Sequence, residues 1–268
     1  MARWTDELKP ILRTVADLGY DGVEISMLGM TDERAEAISK LIIEYGLEVT
    51  CSDGLAPDKD ITSDDPNIRA AGIEYLKWSI ASTSKIGSRG LAGVVYAPWG
   101  IFNIANKKVR AERSAEAFAA LDPTLAEHDV TLGIEAINRF ETDLVNTSAE
   151  AVSMAEASGS DRVGVLLDTF HLNIEEKDIT QAITNAADKL VHFHVSDNDR
   201  GVPGSGHVPW LEVRDALKSI NYDKWIIAEM FVISGNPASA DLNIWRNIEP
   251  DAADAAKRAL DFLKKTFS

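Results

Sequence analysis

Short apolar runs alternate with longer amphipathic stretches along the whole chain. Residues 21–26, 47–53, 91–97, 131–137, 163–169, 190–197 and 225–231 form brief, β-branched-rich runs, the pattern of strands buried on both faces. Between them, residues 5–18, 32–45, 67–86, 108–128, 148–157, 178–187 and 209–220 carry apolar positions at helical spacing, and a last such stretch covers 251–265. Local signals support these limits. Thr31-Asp32-Glu33-Arg34 reads as an N-cap followed by early acidic residues, and Gly19 and Gly46 follow helix ends. Alternating βα units with short connections predict a parallel sheet covered by helices. No linker-like segment or change of composition divides residues 1–268, so one domain is expected.

The pattern contains seven strands and eight helices, and it opens with a helix. A closed (β/α)8 barrel needs a strand before its first helix, and the few residues before Thr5 are too short to supply one. The options are a gapped barrel, an open doubly wound sheet, or a chain without its natural first strand. Chemically capable residues sit at the carboxyl ends of several different strands, which favours the barrel over a sheet with one switch point. No G-x-G-x-x-G follows a strand and no G-x-x-x-x-G-K-[ST] occurs, so dinucleotide and P-loop folds lose support. The expected fold is a TIM (β/α)8-type barrel lacking its first strand. Its gap should lie between the strands at 21–26 and 225–231, with in-frame codons for the missing strand upstream of the start.

Composition narrows the function. A content of 45% hydrophobic and 26% charged residues suits a globular chain. Acidic residues number 43 against 27 basic, a net charge of −16 that opposes binding to nucleic acid or an anionic membrane. The single cysteine, Cys51, excludes an internal disulfide, and the first residues lack the apolar run of a signal peptide. The longest uncharged stretch, 90–106, is broken by Gly, Pro and Asn. A cytoplasmic protein without nucleic-acid or membrane partners is expected.

Within that acidic background, four strands have an apolar run interrupted near the carboxyl end by a metal-capable side chain. These are Glu135 in Leu-Gly-Ile-Glu-Ala, Asp168 in Val-Leu-Leu-Asp-Thr, His194 in Val-His-Phe-His-Val and Glu229 in Ile-Ile-Ala-Glu-Met. An unpaired charge inside a buried strand costs several kcal/mol, so each needs a partner. Three carboxylates and one imidazole suit a hard divalent cation: Mn2+ first, with Mg2+ or Co2+ as alternatives. Taken singly, a carboxylate at a strand end is more often a helix cap or ion-pair partner. His192 and His194 each read equally well as satisfied core histidines, and Glu24 as an inward-facing structural carboxylate. Four such interruptions together favour a metal site.

The same residues bring out a family likeness. Gly-Ile-Glu-Ala-Ile-Asn-Arg-Phe-Glu-Thr (133–142), Leu-Asp-Thr-Phe-His-Leu-Asn-Ile-Glu-Glu (167–176), His-Phe-His (192–194) and Val-Pro-Gly-Ser-Gly-His-Val-Pro-Trp (202–210) closely resemble ketose 3-epimerases. So does the Glu229-Met-Phe strand end. These are the D-tagatose/D-psicose 3-epimerase group within the xylose-isomerase-like barrels, and the likeness runs from about Trp4 to the C-terminus. It implies that Glu135, Asp168, His194 and Glu229 bind the metal, with Glu135 and Glu229 also the acid/base pair. It places Glu141, His171 and Arg200 against ketose oxygens, and Cys51 and Trp99 in pocket-wall segments, although Trp99 also reads as loop packing. The implied reaction is epimerisation of a free ketose at C3. The metal chelates O2 and O3 and polarises the C2 carbonyl, and the glutamates exchange a proton on opposite faces of a cis-enediolate. A homo-oligomer, dimer or tetramer, is the expected assembly. Two departures stand out: residues 195–200 differ from the group's Gly-Glu-Ala-Asn-Arg pattern, and the strand that carries an aromatic pocket residue has no counterpart. The rival readings are an aldose–ketose or hydroxypyruvate-type isomerase on the same barrel, and a degenerate sugar-binding barrel without turnover. A trinuclear-zinc endonuclease is disfavoured, because the chain has only five histidines and a charge of −16.

Overall fold

The computed structural model describes residues 7–235 and 237–267. Its seven strands are β1 (Gly22–Ser26), β2 (Glu48–Leu55), β3 (Gly90–Pro98), β4 (Thr131–Ala136), β5 (Val163–Asp168), β6 (Leu190–Val195) and β7 (Ile226–Ala228). They pair in sequential order, all parallel, as one sheet. The helices among the described residues are α1 (Leu8–Leu18), α2 (Asp32–Tyr45), α3 (Pro66–Ile86), α4 (Lys107–His128), α5 (Ser148–Ala157), α6 (Thr169–Glu175), α7 (Ile179–Ala186), α8 (Trp210–Ser219), α9 (Pro237–Asp241) and α10 (Ala252–Phe267). The local signals act as expected. Thr31 Oγ1 accepts from Arg34 N at 3.3 Å, and Gly19 and Gly46 close their helices in the left-handed conformation. Residues 1–6, which include Trp4 and the start expected for the first helix, lie outside the described residues.

The sheet is curled into a barrel. Glu24 on β1 meets His192 on β6 at 2.6 Å, whereas five strand spacings in a flat sheet would separate them by about 24 Å. Curling buries β5 along its whole length and most of β3, β4 and β6, which explains why their sequences are continuous apolar runs. The two ends of the sheet do not pair, and among the described residues no strand lies between β1 and β7. A cleft of about 1130 Å³ separates them, lined by Gly22, Glu24 and Ser26 on one edge, Ile226 and Ala228 on the other, and Val15 and Leu263 from α1 and α10. Among the described residues, the gap expected from the sequence is therefore present.

Three details were not legible in the pattern. β7 is only three residues long: Glu229 N still donates to Val195 O (3.1 Å), but beyond it Phe231 N turns to Arg200 O (3.0 Å) in the loop after β6. A short helix, α6, follows β5 directly, capped by Asp168 itself: its Oδ1 accepts from Phe170 N at 2.9 Å. The register slips in β6, where Val165 faces Leu190 but Leu166 faces His192, and this bulge helps aim His192 and His194 into the barrel.

Candidate metal and substrate site

Strand ends deliver four side chains to one point. Glu135 is the penultimate residue of β4, Asp168 the last of β5, His194 the penultimate of β6, and Glu229 follows β7. Asp168 and His194 are direct register partners. One ligand-capable atom from each of the four lies within 4.8 Å of the others. Asp168 and His194 are fully buried, Glu135 nearly so, and Glu229 is 26% exposed toward the opening. The helix cap occupies one Asp168 oxygen, which leaves Oδ2 buried without a hydrogen-bond partner, and His194 Nδ1 is in the same condition. Buried polar atoms of this kind are rare unless something satisfies them. Three clustered carboxylates and one imidazole are a donor set for a hard divalent cation, and the residues present fit one.

Electrostatics set the two glutamates apart. Burial, followed by the charge of Glu229, pushes the Glu135 carboxyl well above its ordinary range. The same two causes raise Asp168 to about 7, against Arg200, His194 and the Phe170 N–H. Glu229 is also desolvated, but His194 and Arg200 outweigh burial and hold it down to about 2. Burial disfavours the charged His194 ring, yet Glu24 and Glu229 raise its basicity well above the usual value. Two glutamates beside one shared centre can serve as acid and base.

A second layer covers this cluster. Arg200 Nη1 donates to Glu229 Oε2 at 3.0 Å, and Arg200 Nη2 lies 2.9 Å from His171 Nε2. His171 Nδ1 accepts from Asn138 N at 3.1 Å, Asn138 Nδ2 donates to Glu141 Oε1 at 2.7 Å, and Trp99 Nε1 donates to Glu141 Oε2 at 3.0 Å. Burial and the Arg200 charge hold His171 well below its ordinary range, so the ring is neutral. A neutral imidazole has one N–H, while both nitrogens here face donors. Either tautomer opposes one of them. Arg200 has a positive φ of 62° and lies over Phe170 (4.4 Å) and Phe231 (5.0 Å). Its loop is tied by the buried Asp197, which accepts from Asn198 N, Gly204 N, Val208 N and Trp210 Nε1.

Of the residues implied by the family likeness, Glu135, Asp168, His194 and Glu229 come together, and Glu141, His171, Arg200 and Trp99 surround them. Cys51 does not. Strand alternation turns Thr50 inward, to donate to Glu24 at 3.0 Å, and Cys51 outward beneath α3, beside Thr83 and Ser88. Burial there raises its thiol to about 12, so it is a packing residue. The sequence reading did not single out Asn138, Asp197, Phe170 or Phe231. Their only signal was membership of the motifs at 133–142, 167–176 and 195–200, and of the strand end after Glu229.

The xylose isomerase-like TIM barrel family model matches residues 12–266. The chain is 33% identical to a D-psicose 3-epimerase of Enterocloster bolteae, covering 98% of this chain and 92% of that protein. It is 36% identical to an L-ribulose 3-epimerase of Mesorhizobium japonicum, covering 96% and 87%. A solved L-ribulose 3-epimerase superposes with a TM-score of 0.92 at 36% identity over 98% of this chain and 89% of that one. A D-psicose 3-epimerase solved in the presence of D-fructose gives 0.91 at 31% identity, over 97% and 93%. No helix among the described residues is long and apolar enough to cross a membrane. The barrel, its cluster of strand-end carboxylates and histidine, and these likenesses place the chain in the xylose isomerase-like TIM barrel family, within its ketose 3-epimerase group of isomerases.

Proposed function

We propose that the protein, as a single-domain enzyme, epimerises a free ketose at C3. The observation that carries this reading is the convergence of Glu135, Asp168, His194 and Glu229 on one point, with Arg200 held against both Glu229 and His171 beside it. Glu135, Asp168, His194 and Glu229 would hold the cation, with Mn2+ the first candidate. When bound, it supplies Lewis-acid polarisation of the ketose C2 carbonyl. One glutamate removes the C3 proton, leaving an enediolate, and the other returns a proton to the opposite face, which inverts C3. Arg200, His171 and Glu141 orient the sugar: a hydroxyl or carbonyl oxygen placed against Arg200 and His171 would give both their N–H groups an acceptor, relieving the opposed donors. Trp99 and Asn138 keep the Glu141 carboxylate facing this point. The relatives named for D-psicose and L-ribulose support a ketose substrate.

The test is turnover of D-psicose, D-fructose, L-ribulose and D-tagatose with Mn2+ in D2O. Deuterium should enter the product at C3, and Glu229→Gln should retain cation binding while losing most of this exchange. Product formed without deuterium at C3 would refute the enediolate route.

A further inference from the structure

We propose that Glu24 is the positioning residue of the cation site, and that it acts through His194. This rests on the cation site proposed above. Glu24 sits on β1, the strand farthest in pairing order from the ligand-bearing strands, and its side chain is 9% exposed. Its Oε2 is held by His192 Nε2 at 2.6 Å and by Thr50 Oγ1 at 3.0 Å. Its Oε1 lies 2.9 Å from His194 Nε2, a contact that is short though not aligned as an ideal hydrogen bond. On the other side of the same ring, Nδ1 is buried, has no hydrogen-bond partner, and lies 3.6 Å from Glu229 Oε2.

The two nitrogens of an imidazole face outward on different sides of the ring, so anchoring one aims the other. A carboxylate at Nε2 keeps the proton on that nitrogen and leaves the Nδ1 lone pair free for a cation, the role that carboxylates behind ligating histidines generally play. His192 and Thr50 in turn keep Glu24 from rotating away. Glu24, His192 and His194 are also close enough together to suggest a second cation. The distances oppose it: a cation about 2.0–2.4 Å from each donor needs donors about 3 Å apart or more, and His192 and Glu24 are at 2.6 Å. The triad, hydrogen-bonded at Glu24–His192 and in close contact at Glu24–His194, is a support for one cation.

The experiment is a Mn2+ titration followed by electron paramagnetic resonance, with melting in EDTA as the check on folding. The wild type should bind one Mn2+. Glu24→Gln, nearly isosteric, and Glu24→Ala should each lower the affinity by ~10–100-fold. In the His194→Ala background, Glu24→Gln should have no further effect. An affinity within twofold of wild type in Glu24→Gln overturns the proposal, as does an undiminished effect of Glu24→Gln when His194 is absent. Two Mn2+ in the wild type and one in Glu24→Gln would make the triad a second cation site instead. Wild type that binds no Mn2+ would remove the underlying cation site, and the proposal with it. An independent check needs no variant at Glu24: in the Mg2+-saturated protein, long-range 15N–1H spectra of the five histidines should show the ring lost in His194→Ala protonated at Nε2. Protonation of that ring at Nδ1 overturns the proposal.

Discussion

Replacing Asp168 with Asn should stabilise the chelated protein and abolish its stabilisation by Mn2+. Asp168 is fully buried, and burial together with Glu229 moves its carboxyl from 3.8 to about 7. Because the folded value lies above the unfolded one, the folded state holds the proton more tightly. Stability in EDTA should therefore fall as pH rises from about 4 through about 7, and the whole penalty is present above that. Three units correspond to about 4 kcal/mol, and since the repulsion is shared with Glu229 we take about 2–4 kcal/mol for Asp168 alone. The unfolding entropy of a chain this long is about 0.56 kcal/mol/K, so Asp168→Asn should melt about 4–7 °C above wild type at pH 8 in EDTA. Asn retains an oxygen to accept from Phe170 N, so the start of α6 is preserved. Wild type with Mn2+ at a hundred times its Kd should gain about 2.7 kcal/mol, roughly 5 °C, and the variant almost nothing. Differential scanning calorimetry at pH 8 with EDTA or Mn2+ reads both. A variant that melts below wild type in EDTA, or that keeps the Mn2+ increment, refutes the reasoning.

Other tests address the residues around the cluster. Arg200→Met removes the donor to Glu229, so kcat/KM should fall by ~10–100-fold. Without the guanidinium the Glu229 carboxyl titrates at a higher pH, and the acidic limb of the pH–rate profile should move upward. An unmoved limb would show that Arg200 does not control Glu229. Arg110 Nη1 donates to both oxygens of the buried Asp143, at 2.8 and 2.9 Å, beneath the loop carrying Glu141. Arg110→Met strands the Asp143 charge and should cost about 3–5 kcal/mol in denaturant unfolding. Arg110→Met/Asp143→Leu should recover most of that loss. Trp99→Phe removes only the donor to Glu141, so KM should rise with little change in melting temperature, measured by steady-state kinetics and calorimetry.

What the linear chain determines by itself is the alternation of elements and the chemical identity of the side chains at the strand ends. A strand buried on both faces must be apolar throughout, so Glu135, Asp168, His194 and Glu229 are conspicuous as interruptions. Side-chain alternation is also local, which is why His192 and His194 could be assigned to one face. Distance across the barrel is not local. That Glu24 on β1 reaches His194 on β6 depends on how tightly the sheet curls, and no spacing in the sequence encodes it. Nor does a strand pattern say which face of β2 meets α3, and only packing turned Cys51 away from the site. The split between Glu135 and Glu229 is likewise tertiary. Both are glutamates at strand ends and both feel Arg200 and His194, but only Glu229 has Arg200 donating to it and the His194 ring 3.6 Å away, in an arrangement held by a loop knotted around Asp197. The residue types follow from the sequence; the field that gives each its proton follows from which of them the folded barrel places side by side.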